Sequence, residues 1–233
     1  MRLGILIVTI GFAVTTQAAD RVFESGLRRT HLLELFTSQG CSSCPPAEAW
    51  LSKLKTEPRL WKDFVPLAFH VDYWGRLGWR DPFASKEATA RQYQYSERWR
   101  NESVYTPGFV LDGREWFERR IPSASAETPG RLKLAVTNEK IAAEFVPSGD
   151  QRRDVDLHVA TLGFDLTTKI AAGENRGRSL RQDFVVLSLT NQRMPSGKTE
   201  IPFNQDARAG AIAAWITAPD QLEPIQAVGG WLR

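Results

Sequence analysis

The sequence contains little of what several classes of protein require. Its 233 residues include only 2 cysteines, 2 methionines and 3 histidines. Two cysteines cannot build a disulfide-rich scaffold, and two methionines argue against a methionine-rich copper carrier. The 30 basic and 27 acidic residues leave a net charge of +3. Because the basic residues are scattered along the chain, the charge pattern argues against a nucleic-acid partner. The remaining composition is that of a globular protein of one or two domains.

The first residues have the three parts of a secretory signal peptide. A charge at Arg2 precedes an apolar run of 12 residues at 3–14, and small or polar residues follow at 15–19. This run is shorter than the roughly 20 apolar residues that span a bilayer, so we expect cleavage after Ala18. An uncleaved anchor is the alternative. The pattern predicts an exported protein, periplasmic or secreted, with no stable membrane span after cleavage, in which disulfides can persist.

Hydrophobic periodicity predicts a β-α-β-α-β-β order for the first half of the chain. Pro45-Pro46 favours a helix start, because backbone N–H groups in the first turn are unpaired anyway, and Asp112-Gly113 predicts a hairpin turn. The predicted elements are strands at 31–37 and 64–71, helices at 45–56 and 83–100, and strands at 104–111 and 114–117.

The second half of the chain is predicted to be all β. Its hydrophobic period changes to two, as at Leu132, Leu134 and Val136, which indicates about seven short strands in a sandwich-like domain. An alanine-rich stretch at 207–218 fits either a strand or a helix. The predicted divisions are a signal peptide at 1–18, a first domain at 28–120, a Pro/Ser/Ala-rich linker at 121–130 and a second domain at 131–233.

The two cysteines lie three positions apart, at Cys41 and Cys44, between a predicted strand and a predicted helix. Backbone N–H groups and the helix dipole stabilise a thiolate at a helix N-terminus and lower its pKa. A second thiol one turn along can attack the mixed disulfide that the first forms with a partner. This arrangement within a β-α-β order is typical of thiol–disulfide oxidoreductases. We therefore predict Cys41 as the nucleophile and Cys44 as the resolving thiol.

A wider pattern of short segments surrounds the cysteines: FTSQGCSSCPP at 36–46, HVDYW at 70–74, GWRDPF at 78–83, YTP at 105–107 and GENRGR at 173–178. Together these segments resemble an exported thioredoxin-like family known as a domain of unknown function, DUF1223. The resemblance implies an α/β thioredoxin-like domain followed by an all-β sandwich-like domain. It also implies that Thr106 and Pro107 form a substrate-docking edge, with a cis proline packed against the cysteine pair.

Five more residues are predicted to lie at the rim of the cysteine site. Parallel strands of this arrangement end on the same side, so the segment after the second strand should lie near the cysteines. Within it, His70 is a candidate proton shuttle or, with two thiolates, a third soft-metal ligand. A structural histidine and simple packing of the loop are the alternatives. The predicted rim residues are His70, Asp72, Tyr73, Trp74 and Trp79.

The sequence has other notable features outside the predicted site residues. The glycine-containing segment at 173–180 lacks the Gly-Lys-Ser/Thr ending of a phosphate-binding loop, so nucleotide binding is rejected. Arg91 is predicted to lie on a solvated helix face, and His158 to be exposed and inert. Thioredoxins bury a carboxylate six residues before the first cysteine. That position is Leu35 here, and Glu34 should point to the opposite face of the strand.

The sequence thus predicts an exported thiol–disulfide oxidoreductase or redox-linked chaperone that acts on exported protein thiols or disulfides, with no cofactor and no bound metal. Two alternatives stay open. In the first, the protein is a non-catalytic envelope-binding module with a structural disulfide. In the second, it is a soft-metal carrier that uses Cys41, Cys44 and His70.

Overall fold

The computed structural model describes residues 21–150 and 153–232, so the predicted signal peptide at 1–18 lies outside the described residues. The described α-helices are α1 (Pro45–Ser52) and α2 (Lys86–Arg98), and short 3-10 helices span Lys53–Thr56 and Tyr73–Leu77. The described strands are β1 (Arg21–Glu24), β2 (His31–Thr37), β3 (Phe64–His70), β4 (Gly108–Leu111), β5 (Arg114–Glu115), β6 (Gly130–Val136), β7 (Lys140–Pro147), β8 (Val155–Gly163), β9 (Leu166–Lys169), β10 (Ser179–Gln182), β11 (Val185–Met194), β12 (Lys198–Pro202), β13 (Ala209–Thr217) and β14 (Pro224–Trp231).

The predicted fold class, an α/β thioredoxin-like domain followed by an all-β sandwich-like domain, is wrong. The described part of the protein is mostly β: 43% of the described residues are in strands and 14% are in helices. The described strands form a mixed eight-stranded sheet in the order β14-β13-β8-β11-β3-β2-β4-β5, a four-stranded sheet in the order β1-β6-β7-β12, and the pair β10-β9. The eight-stranded sheet therefore combines strands from both halves of the chain.

Strand β11 joins the two halves. Its Val185 pairs in parallel with Ala68 of β3, and the Ala68 N–H donates to the Phe184 carbonyl at 2.8 Å. Further along, β11 pairs antiparallel with β8, which in turn pairs with β13. Every residue of β3 is buried, so this strand requires a neighbour on each edge and cover on each face. The periodicity showed that β3 is buried but not which distant strand pairs with it. The division of the chain at 121–130 stays a prediction.

The eight-stranded sheet buries residues on both faces. On one face, Leu157 of β8 packs with Leu134 of β6 and other residues of the four-stranded sheet. On the opposite face, Leu162 of β8 belongs to the same core as Leu51 of α1 and Ala88 of α2. The alanine-rich stretch is a strand, β13, since its small side chains alternate between these two cores. Within the residues that the structure describes, no helix is long and apolar enough to cross a membrane.

Helix α2 packs on the sheet through a buried ion pair, contrary to the prediction of a solvated face at Arg91. The Arg91 guanidinium donates through Nε to Glu34 on β2 at 2.5 Å, and the Tyr95 hydroxyl donates to the same carboxylate at 2.5 Å. The side chains of Glu34 and Arg91 are 0% and 7% exposed. Glu34 thus faces α2, whereas its neighbour Leu35 faces the opposite side of the strand. A charge on a helix is normally solvated, so only the strand partner reveals that Arg91 is buried.

Candidate functional site

A disulfide between Cys41 and Cys44 lies between the end of β2 and the start of α1. Their Cα atoms are 5.5 Å apart. Cys44 is the N-cap residue of α1, and its carbonyl accepts from the backbone N–H groups of Ala47 and Glu48 at 2.9 and 3.1 Å. Neither cysteine has exposed surface, whereas Ser42 between them is exposed. The pair therefore lies at a helix N-terminus but beneath the molecular surface.

The predicted docking residues lie against this disulfide. The peptide bond between Thr106 and Pro107, just before β4, is cis. The Thr106 carbonyl oxygen lies 3.7 Å from the Cys41 sulfur and accepts from the Ser43 hydroxyl at 3.5 Å. The Ser43 hydroxyl is also 3.2 Å from the Cys41 sulfur. The structure thus places the carbonyl of Thr106 and the hydroxyl of Ser43 on the Cys41 side of the disulfide.

Two of the predicted aromatic rim residues lie at or beside residues 39–44, which we call the cysteine segment. Trp74 donates from its indole nitrogen to the Thr106 hydroxyl at 2.9 Å. Trp74 also packs so tightly over Gly40 that a Cβ at Gly40 would lie 2.9 Å from the Trp74 Cβ, which explains the glycine before Cys41. Trp79 donates from its indole nitrogen to the Gln39 side-chain oxygen at 3.1 Å.

The other two predicted rim residues after β3 bond to α2 instead. The Tyr73 hydroxyl donates to Gln92 at 3.1 Å, and the Asp72 carboxylate accepts from the Thr89 hydroxyl at 2.7 Å. Burial raises the pKa of Tyr73 to about 12, although hydrogen bonds oppose the shift. At neutral pH its phenol is therefore protonated. Asp72 and Tyr73 fix the loop onto the helix and make no described hydrogen bond to the cysteine segment.

His70 is linked to the cysteine segment through Asp81. The His70 Nδ1 lies 2.7 Å from Asp81 Oδ2, and the same oxygen accepts from the Gln39 N–H at 2.8 Å. Burial alone would lower the pKa of His70, but the carboxylates of Asp81 and Glu48 outweigh it and the net shift is upward. For Asp81, burial opposes ionisation, and the charge and hydrogen bond of His70 lower its pKa overall. The arrangement favours an imidazolium–carboxylate pair, and among the described residues the buried His70 Nε2 has no hydrogen-bond partner.

Glu48, a buried carboxyl on α1, was not among the predicted site residues. It accepts from the Thr37 hydroxyl at 2.7 Å and from the Gln182 amide at 3.4 Å. Burial raises its pKa, only partly offset by the charge of His70 and these hydrogen bonds. Residues four apart share one helix face, so Glu48 lies on the same side of α1 as Cys44. That spacing, with buried Leu51 three residues on, was the available signal.

The segment GENRGR at 173–178, which contains none of the predicted site residues, holds the cysteine segment in place. Asn175 is fully buried, and its amide nitrogen donates to the carbonyls of Gln39 and Cys41, each at 2.9 Å. Next to it, the Glu174 carboxylate accepts from the Ser42 N–H at 2.9 Å. Hydrogen bonds from Ser42 lower the pKa of Glu174. The acid–amide pair flanked by glycines was the signal for this contact.

The predicted soft-metal ligands do not form a cluster. Across residues 21–150 and 153–232, no three His, Cys, Asp or Glu side chains are grouped so as to hold a metal ion. The sulfurs of Cys41 and Cys44 are bonded to each other, and His70 bonds through Nδ1 to Asp81.

These observations define the class of protein: a mostly β protein with a buried disulfide at a strand-to-helix junction, held by a loop from the second half of the chain. The chain belongs to the family described as a protein of unknown function (DUF1223), whose family model matches residues 32–217. The predicted resemblance to this family is thereby confirmed. A search of curated proteins finds no match.

Two solved structures are similar over most of the chain. A crystal structure of an Agrobacterium tumefaciens protein, from a structural genomics consortium, has a TM-score of 0.63 at 25% identity, over 87% of this chain and 93% of that chain. HBP35 of Porphyromonas gingivalis has a TM-score of 0.56 at 14% identity, over 88% of this chain and 76% of that chain. The second likeness concerns the fold alone.

Proposed function

We propose that this protein is an exported thiol–disulfide oxidoreductase that exchanges its Cys41–Cys44 disulfide with thiols or disulfides of other exported proteins. The observation that carries the proposal is the position of the pair at the start of α1, with the Thr106 carbonyl 3.7 Å from the Cys41 sulfur. A helix N-terminus stabilises a thiolate. An adjacent backbone carbonyl offers an extended partner a hydrogen-bonding edge.

The proposed thiol–disulfide exchange takes place in two steps. A partner thiolate attacks the Cys41 sulfur, the Cys41–Cys44 bond breaks, and Cys44 leaves as a thiolate that takes up a proton. A second partner thiolate then attacks the partner sulfur of the mixed disulfide and releases Cys41. The partner has gained a disulfide, and this protein has accepted two electrons. Run in reverse, Cys41 attacks a partner disulfide and Cys44 resolves the intermediate.

Buried acid–base groups support proton exchange at Cys44. Glu48 lies one helical turn after Cys44 and carries a carboxyl whose pKa is raised by burial. A carboxyl of raised pKa holds and releases protons closer to neutral pH than an ordinary glutamate. His70, whose charge acts on Glu48, has a raised pKa, and its Nε2 has no hydrogen-bond partner within the described part of the chain. We assign proton exchange with Cys44 to Glu48, and to His70 the electrostatic support of the Glu48 carboxylate.

Exchange at Cys41 requires local movement, because the sulfur is buried. Ser42 and Ser43 are exposed and lie over the pair. The Ser43 hydroxyl makes a long contact of 3.5 Å to the Thr106 carbonyl. We expect a partner strand that pairs with this carbonyl to displace Ser43 and expose the Cys41 sulfur.

Trapping of covalent intermediates tests the proposal. Cys44→Ala removes the resolving thiol, so mixed disulfides between Cys41 and exported proteins should accumulate. Cys41→Ala leaves Cys44, which lies inside the start of the helix, and should trap few partners. The measurement is a non-reducing gel of the exported fraction, quenched with an alkylating agent, followed by identification of the adducts. The matched control is the double variant. Equal adducts in both single variants, or none in either, would contradict the proposal.

A second candidate function is a non-catalytic envelope-binding module with a structural disulfide. The observation that favours it is the complete burial of both cysteines. Against it, a disulfide that closes a loop of three residues removes little entropy from the unfolded chain and so contributes little stability. This candidate predicts no adducts in any of the trapping variants.

A further inference from the structure

We propose that Glu174 sets the redox equilibrium of the Cys41–Cys44 pair, because its carboxylate binds the backbone N–H that follows Cys41 and thereby favours the disulfide over the reduced pair. The inference rests on the proposed function, since such an equilibrium matters only for a pair that exchanges electrons. It assigns a role to a residue of the second half of the chain, far from the cysteines in sequence.

Hydrogen bonds of two neighbouring residues, Glu174 and Asn175, hold this loop against the cysteine segment. The Ser42 N–H donates to Glu174 Oε2 at 2.9 Å. The neighbouring Asn175 is anchored by two hydrogen bonds of 2.9 Å to the carbonyls of Gln39 and Cys41. Because Asn175 is fully buried, it fixes the backbone that carries Glu174. The carboxylate is therefore positioned on the cysteine segment by the fold and not by chance contact of a long side chain.

The negative charge of Glu174 is not cancelled by an ion pair in the described part of the chain. In the same loop, Arg178 donates at 2.8 Å to the Asn175 side-chain oxygen. The side chain of Glu174 is exposed, so water and salt screen its charge but do not remove it. The Glu174 carboxylate thus places a negative charge at the backbone N–H of Ser42, the residue next to Cys41.

This placement acts differently on the two redox states. The disulfide is neutral, so removing the negative charge of Glu174 does not stabilise it. Reduction creates a thiol at Cys41 whose ionised form lies beside a like charge. A like charge disfavours a thiolate, and a donor already bound to a carboxylate is not free to stabilise one. Both effects disfavour the reduced state. With Glu174 present, the cysteine pair is therefore a weaker oxidant than the same pair at a helix N-terminus without this carboxylate.

The test is the equilibrium of the purified protein with glutathione. In this reaction the protein disulfide and two glutathione thiols give the protein dithiol and one glutathione disulfide, so two electrons and two protons are balanced. Glu174→Gln keeps an acceptor oxygen for the Ser42 N–H but removes the charge. We expect the equilibrium constant for reduction to rise roughly three- to fivefold, which corresponds to a potential higher by about 14 to 21 mV. Glu174→Lys should raise it further.

Two controls separate charge from structure. Glu200→Gln makes the same charge change on β12, where Glu200 pairs with Lys140 at 2.9 Å, and should leave the equilibrium constant unchanged. Raising the ionic strength should reduce the difference between the natural protein and Glu174→Gln. An unchanged constant in both Glu174 variants, or a shift towards the disulfide, would overturn the inference. Trapping decides the proposed function separately, because the glutathione equilibrium is measurable whether or not partners are trapped.

Discussion

Replacing Arg91 with methionine should strongly destabilise the protein, because it leaves the Glu34 carboxylate buried without its counter-ion. The Glu34 side chain has no exposed surface and receives the Arg91 guanidinium at 2.5 Å. Burial opposes the charge on Arg91, but Glu34 more than offsets burial and raises the pKa of Arg91 overall. The Arg91 guanidinium is therefore charged at pH 7.

The expected loss in the free energy of unfolding follows from the interactions of Glu34 and Arg91 that the substitution removes. Breaking a buried ion pair on one side typically costs about 3–5 kcal/mol. The guanidinium also lies over the rings of Phe69, Tyr95 and Trp215, at 5.7, 5.2 and 5.2 Å from their centroids. Methionine keeps the apolar stem against these rings but loses the cation–π attraction. We therefore expect a loss of about 3–5 kcal/mol in the free energy of unfolding.

Urea unfolding at pH 7 measures the effect. The double variant Glu34→Leu/Arg91→Met should be less destabilised than Arg91→Met alone, because it leaves no unpaired carboxylate. A matched control is Arg98→Met at the exposed end of the same helix. Arg98 is one-third exposed and pairs with Glu223 at 3.3 Å, so this change should cost less than about 1 kcal/mol. A cost below 1 kcal/mol for Arg91→Met, or equal losses in the single and double variants, would refute the reasoning.

Two further predictions concern pH and the loop that holds the cysteines. Burial, together with the charge of Arg91, lowers the pKa of His158 to about 4 from 6.5. Its contribution to stability is thus complete above pH 6.5 and lost as the pH falls towards 4. We expect urea unfolding to show a loss of about 3 kcal/mol across this window that His158→Gln lacks, and equal pH slopes would contradict this. Asn175→Ala leaves the carbonyls of Gln39 and Cys41 without their donor, so thermal and urea unfolding should show a loss of about 1–3 kcal/mol. An unchanged midpoint would be the opposing result.

Local features of the chain could be predicted from the sequence. The order of the strands and α-helices from β2 to β5 agrees with the prediction, because buried apolar runs and prolines act over a few residues, whereas β1 was not predicted. The placement of Cys41 and Cys44 between β2 and α1 follows from the same local signals. So does the membership of the family, since its motifs are short and lie within or beside single elements.

Side chains whose partners are distant could not be assigned. Arg91 has the spacing of an exposed helix face, and only Glu34, 57 positions away, shows that it is buried. His158 was predicted to be exposed, yet its ring stacks on Trp215 at 5.1 Å and bonds Asn191 and Thr217. Periodicity reports which face of a strand is apolar, but not what covers the polar face.

The sequence by itself determined the order of β2 to β5 and of the two α-helices among them, and that the cysteines lie at the start of a helix. Only the tertiary structure decided that β11 pairs with β3, so that one sheet combines both halves. It also decided that Glu174 and Asn175 bind the segment at Cys41, 134 positions from Asn175. The physical reason is that every residue except proline carries the same backbone N–H and C=O groups. Which distant strand or side chain satisfies them depends on the packing of the whole chain, not on the local pattern.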